Sequence, residues 1–76
     1  MTNIHGDKRL TTKQEIFSMK VALERLNQSA AYACAYDVSR MTRKSVYEAS
    51  SKLAAHPAVA RRIKALREMV IAAAMK

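Results

Sequence analysis

Apolar side chains recur at intervals of three and four along most of this chain, and the alternation typical of strands is missing. In the first predicted helix these side chains are Ile16, Phe17, Val21, Leu23 and Leu26. A stripe with this spacing should face a core. We expect the helix to begin at Thr11 or Thr12, because Thr12 and Glu15 have the spacing of a capping box.

Three further helices are predicted from their start signals. Asn27 is a good cap for a short alanine-rich helix that ends near Tyr36, and residues 37–41 are typical of a turn. Thr42 can cap a third helix, and Pro57 fits the first turn of a fourth, where its missing amide has no partner in any case. The chain is therefore predicted to be all-α, a small bundle of about four helices.

The predicted core takes side chains from the first, third and fourth helices. The third helix contributes the side of Val46 and Leu53, and the fourth contributes a seam that begins at Val59 and Ile63. The side chains expected to pack together are Phe17, Leu23, Val46, Leu53, Val59 and Ile63. The first half of the fourth helix should close this core.

Charge adds a functional expectation, because 14 Lys and Arg against 6 Asp and Glu give a formal net charge of +8. Residues 1–39 carry five basic and four acidic side chains, whereas residues 40–67 carry eight and one. Such an uneven distribution predicts a polyanionic partner, and nucleic acid is the first choice. The alternative is a basic face that only keeps the protein in solution.

The second and third helices, with a brief turn between them, indicate a helix-turn-helix, whose second helix enters the DNA major groove. Arg43 and Lys44 carry donors that suit guanine or phosphate, and Arg40 and Lys52 are expected to contact phosphates. Tyr47 suits either a DNA contact or a half-buried core ring. The candidate DNA-binding residues, two of them in a flexible arm at residues 1–9, are Arg40, Thr42, Arg43, Lys44, Tyr47, Ser51, Lys52, Lys8 and Arg9.

The sequence contains no arrangement typical of an enzyme or a metal site. Cys34 lies among alanines and is expected to be a buried, inert thiol, and the two histidines are too far from it for an ordinary zinc site. Scattered carboxylates suggest no acid–base pair, so neither catalysis nor a cofactor is expected. The longest apolar run, residues 69–75, is far shorter than the ~18 residues of a membrane span. The start of the chain lacks a signal-peptide core, which favours the cytoplasm.

Three groups of residues have the order and spacing of one known family. They are Leu10-Thr11-x-Lys13-Gln14-Glu15-x-Phe17, then Asn27 with Ala31, Ala35 and Tyr36, and finally Ser51-x-Leu53, Pro57-x-Val59 and Arg62-Ile63. Through these residues the chain resembles, over residues 10–67, the N-terminal domain of bacteriophage terminase small subunits. Ala35 departs from the pattern, since family members often carry glycine before the tyrosine.

The resemblance implies a DNA-binding protein without catalytic activity, which recognises viral DNA at the packaging initiation site and presents it to the large terminase subunit in the host cytoplasm. Family members usually work as ring-shaped homo-oligomers. Residues 10–67 would form the DNA-binding domain, and residues 68–76 would end the last helix and lead towards an oligomerisation region. The alternatives are a helix-turn-helix transcriptional regulator, which would bind a palindromic site as a dimer, and a basic helical module for protein interaction or a membrane surface.

The end of the fourth helix carries apolar side chains on more than one side, at Met69, Ile71, Ala72 and Met75. We expect this segment to take part in self-association, the alternative being a frayed alanine-rich end. Sedimentation of the purified chain at high micromolar concentration should then give a mass above that of a monomer. A monomer at that concentration would argue against self-association through this segment.

Overall fold

The computed structural model describes residues 10–75, and this part of the chain forms four helices without a strand. Helix α1 spans Thr12–Ala22, α2 spans Gln28–Ala35, α3 spans Arg43–Ala55 and α4 spans Pro57–Ala74. The predicted all-α fold of about four helices is confirmed. The predicted arm at residues 1–9 lies outside the described residues.

The capping box of α1 lies one residue earlier than predicted. The Thr11 hydroxyl accepts a hydrogen bond from the Gln14 amide at 3.1 Å, and the Gln14 side chain accepts one from the Thr11 amide at 2.9 Å. Glutamine serves at the third helical position as well as glutamate does, so the same spacing is available one residue upstream. The prediction of a box at Thr12 and Glu15 is wrong, and Glu15 is free to make a different contact.

The other three helices begin where their caps were predicted. Asn27 Oδ1 accepts from the amide of Ala30 at 2.8 Å, and Thr42 Oγ1 accepts from the amide of Ser45 at 3.0 Å. His56 caps α4, which begins at Pro57. Its Nδ1 accepts a hydrogen bond at 3.2 Å from the amide of Ala58. Local side-chain chemistry therefore fixes the start of every helix.

Helix α1 ends earlier than its apolar stripe suggests. Leu23 is already its cap, and two residues later Arg25 has a φ of 59°, in the left-handed region that non-glycine residues enter at a cost. The amide of Leu26 then donates to the carbonyl of Lys20 at 3.1 Å and closes the turn. Because the helix stops before it, Leu23 is 43% exposed, and its predicted place in the core is wrong.

The core is centred on Phe17, which has no exposed surface. Helix α1 packs against both α2 and α4, α2 packs against α3, and α3 contacts α4. Val46 and Leu53 of the predicted core are half-buried, and Leu53 packs against the buried cluster. The buried apolar residues are Phe17, Val21, Ala22, Ala31, Val59, Ile63 and Leu66.

Two serines are fully buried in the described part of the chain, and each uses its hydroxyl locally. Ser18 donates to the carbonyl of Gln14 at 2.8 Å, and Ser50 donates to the carbonyl of Tyr47 at 2.9 Å. Every buried side-chain polar atom among the described residues has a hydrogen-bond partner. These small hydroxyls let the helices approach closely at no cost in unsatisfied donors.

An ion pair joins the first and last helices. Arg62 Nη2 lies 2.7 Å from Glu15 Oε2, and Arg62 Nε donates to Glu15 Oε1 at 3.0 Å. The hydrogen bond raises the pKa of the Arg62 guanidinium. Both side chains are partly open to water, so the pair contributes about 1 kcal/mol or less, yet its forked geometry fixes how α4 crosses α1.

Phe17→Ala should lower the free energy of unfolding by about 3–5 kcal/mol, because it removes a fully buried ring from the core cluster. Leu23→Ala is the matched control, and it should cost about 1 kcal/mol or less because that side chain is largely solvated. Urea denaturation followed by circular dichroism measures both values. Equal losses in the two variants would contradict this description of the core.

Candidate nucleic-acid interface

The first turn of α3 presents two cations and a ring to solvent. Arg43 and Lys44 are exposed at the first two helical positions. Tyr47 follows one turn later and is 63% exposed, so its alternative place as a half-buried core ring is wrong. Arg43, Lys44 and Tyr47 together form the α3 basic face.

The position of these cations on α3 is unfavourable for the isolated protein. The amino end of a helix carries a partial positive charge, and acidic side chains are favoured there. The first turn of α3 contains no acidic residue and two basic ones. A bound anion would relieve this repulsion, and the backbone of a nucleic acid supplies such anions in a regular array.

Carboxylates within residues 10–75 do not neutralise the α3 basic face. Between described residues the structure contains two ion pairs, Lys20 with Glu24 at 2.8 Å and Arg62 with Glu15 at 2.7 Å. Lys44 and Glu48 are spaced for a pair within α3, but they do not form one within 4.0 Å. The charge of this face is therefore available to a partner.

The predicted DNA-binding residues of α3 do not all line the same depression. Arg43 and Tyr47 line a groove together with Arg67 of α4. Lys52 instead lines a separate depression with Tyr32, Tyr36 and His56. Because Arg43 and Lys52 are nine residues apart, about 13 Å along the axis of α3, a single contact cannot include both.

The remaining candidates have varied surroundings. Arg40 is exposed in the loop before α3, and Ser51 is half-buried. Thr42 has its hydroxyl engaged with the Ser45 amide, so its first role is to start α3. Lys8 and Arg9 lie outside the described residues.

The connection between α2 and α3 is longer than a typical helix-turn-helix turn of three or four residues. Seven residues, from Tyr36 to Thr42, lie between the two helices. Within this loop Asp37 Oδ1 accepts from the amide of Ser39 at 2.9 Å, and the amide of Met41 donates to the carbonyl of Val38 at 3.0 Å. The loop is thus internally braced, and it holds the start of α3 at a set distance from α2.

A stacked pair of tyrosines fixes the start of this loop. The rings of Tyr32 and Tyr36 are 4.5 Å apart with 15° between their planes, and Lys13 Nζ lies 5.5 Å from the centre of the Tyr36 ring. Burial raises the pKa of Tyr36, and the electrostatic interaction with Tyr32 raises it further. The signal for this stack in the sequence was a pair of tyrosines four residues apart at the end of a predicted helix, and the stack was not predicted.

Cys34 is exposed, which corrects the expectation of a buried thiol. Helix α2 packs through the side of Ala31 and the half-buried Ala35, and this leaves Cys34 towards solvent. Within residues 10–75, no group of three or more histidine, cysteine or acidic side chains is placed to hold a metal ion. None of the described helices is long and apolar enough to cross a membrane.

Most residues that carry the resemblance to terminase small subunits hold the helices together. Thr11 and Gln14 cap α1, Glu15 pairs with Arg62, and Lys13 lies over the ring of Tyr36. Phe17, Val59 and Ile63 are buried. Comparisons with protein families, with curated proteins and with solved structures give no match.

The Asp37 carboxylate should make loop stability depend on pH. The backbone hydrogen bond from Ser39 lowers the pKa of Asp37. Its contribution is thus present above the ordinary aspartate pKa of about 3.9 and is lost as pH falls through the lowered value. Asp37→Asn should have a lower urea midpoint than wild type at neutral pH, and the gap should close near pH ~2. An equal gap at both pH values would contradict this role.

Proposed function

We propose that this chain binds double-stranded DNA through α3 and acts as a terminase small subunit. In this role it recognises viral DNA at the packaging initiation site and presents it to the large terminase subunit. The observation that carries the DNA-binding part is the α3 basic face, in which two cations at the positive end of a helix lack a described carboxylate partner. The packaging role is what the family resemblance adds.

The dimensions of α3 suit the DNA major groove. Its 13 residues make a rod about 20 Å long, and the groove is about 12 Å wide and accepts one helix. Arg43 can donate two parallel hydrogen bonds to a guanine edge or to a phosphate. Lys44 acts as a point charge, and the exposed ring of Tyr47 can pack on a thymine methyl or on the sugar–phosphate backbone.

Binding by one domain should be weak and sensitive to salt. With about four phosphates neutralised per domain, the slope of log K against log salt would be about −3.6. Several domains held together in a homo-oligomeric ring would raise the effective concentration of each domain at the DNA. A repeated or bent packaging site could then be selected through many weak contacts.

Two alternatives remain, and each has its own feature. A transcriptional regulator would use the same face of α3 as a dimer on a palindromic site, so stoichiometry on DNA separates it from a ring. A protein-interaction module is favoured by the apolar end of α4, where Met69, Ile71 and Met75 are 61%, 57% and 80% exposed. Such a module would bind its partner without needing the α3 basic face.

Titration of labelled duplex DNA over a salt series tests the proposal. Arg43→Ala/Lys44→Ala should weaken binding roughly ten- to a hundredfold at low salt, because two charged contacts are lost. The salt slope should become shallower by as much as about 1.8, depending on how many of the two contacts are to phosphates. Circular dichroism should show unchanged helix content in the variant.

Arg61→Ala/Lys64→Ala is the matched control, because it removes the same charge from exposed positions on α4. It should weaken binding far less than the α3 variant. Equal effects of the two variants, or unchanged binding by the α3 variant, would move the contact to α4 or to the arm and contradict the proposal. If wild type fails to bind even at the lowest salt, a protein partner becomes the better explanation.

A further inference from the structure

An open groove lies between α4 and the starts of α2 and α3. Its apolar part includes Val21, which is buried, and Leu26, which is half-buried. Its exposed polar part includes Arg43 and Tyr47 of α3 together with Arg67 of α4. The fold therefore brings Arg67 to the same groove as two residues of the α3 basic face, although Arg67 lies at least 20 positions from them in the sequence.

Among the described residues that line the groove, two are arginines and none is acidic. Neither Arg43 nor Arg67 forms an ion pair with a described carboxylate. Glu68, next to Arg67 in sequence, lines a neighbouring depression that Arg67 and Lys64 also line, but it does not form an ion pair with Arg67. Arg62, on the same helix, shows the contrast, because Glu15 neutralises it through a forked pair. Two uncompensated guanidinium groups at one groove repel each other until an anion binds.

We propose that this groove holds a backbone phosphate of bound DNA and that Arg67 is a DNA contact supplied by α4. The inference rests on the proposed function, because it takes α3 as the element that enters the major groove. Guanidinium groups bind phosphate through two parallel hydrogen bonds, and a tyrosine hydroxyl can donate a third. Arg43 and Tyr47 of α3 and Arg67 of α4 line this groove and carry these donors.

A phosphate held there would set the orientation of the domain on DNA. If only α3 contacts DNA, it can rotate and slide in the DNA major groove. A contact from a second helix to the DNA backbone fixes the register of α3. Arg67 would thus act mainly on affinity and positioning, with no preference among base pairs. Its loss should weaken binding to all duplexes by a similar factor.

Arg67→Ala tests the inference, with Arg61→Ala as its control on the same helix. Both variants lose one positive charge from α4. Arg61 is exposed but lies outside this groove, so its loss reports the effect of charge alone. Arg67→Ala should weaken duplex binding roughly three- to tenfold at low salt, as expected for one solvent-exposed ionic contact, and should reduce the salt slope by about 0.9. Arg61→Ala should change neither quantity by more than a small fraction of these amounts.

Two further variants keep the test independent of folding. Arg67→Lys retains the charge but loses the fork, and should fall between wild type and Arg67→Ala. In Arg43→Ala/Arg67→Ala the combined loss should be smaller than the product of the single losses, because both arginines contact one phosphate. Circular dichroism should show the same helix content in all of them.

Failure of this inference can be told apart from failure of the proposed function. If Arg43→Ala/Lys44→Ala weakens binding while Arg67→Ala matches Arg61→Ala, α3 remains the DNA-binding element and the groove contact is overturned. If the losses from Arg43→Ala and Arg67→Ala multiply fully, a shared phosphate is overturned. If wild type does not bind duplex DNA at the lowest salt, both the function and the groove contact fall.

Discussion

The fold depends on the complete burial of Phe17, since α1 is the helix that packs against both α2 and α4. A chain of 76 residues has room for one small core, so losing its central ring removes a large part of the apolar area that offsets the entropy of ordering. Alanines such as Ala31 bring α2 close to this ring, and α2 in turn carries the loop that places α3. The packing of the core therefore determines where α2, the loop and the candidate interface on α3 lie.

The sequence predicted the features that arise from local chemistry. Caps at Asn27 and Thr42 and the helix start at Pro57 depend on residues within three positions of each other, and the structure has all three. Helical periodicity likewise predicted four helices and the burial of Phe17, since both follow from one stripe per helix. The capping box lies one residue before its predicted place because Thr11 with Gln14 and Thr12 with Glu15 have the same spacing.

Features that depend on tertiary packing could not be predicted in this way. Leu23 follows the periodicity of α1 but lies past its end, and Cys34 has apolar neighbours in sequence while its side of α2 has nothing packed on it. Arg67 is one of several basic residues on α4 in the sequence, and only the packing of α4 against α1 and α3 brings it to the same groove as Arg43 and Tyr47. Periodicity describes one helix at a time, whereas a groove between helices is set by their crossing angles.

Helix α4 runs without interruption from Pro57 to Ala74, and its buried contacts end at Leu66. The remaining eight residues extend it about 12 Å further, and one rigid rod therefore carries both Arg67 and the exposed apolar end. Ile71 lies one turn beyond Arg67. A partner that bound this end of α4 would therefore also set the rotational angle at which Arg67 faces DNA. Mechanical coupling between the two surfaces would then need no conformational change, because the stiffness of a single helix supplies it.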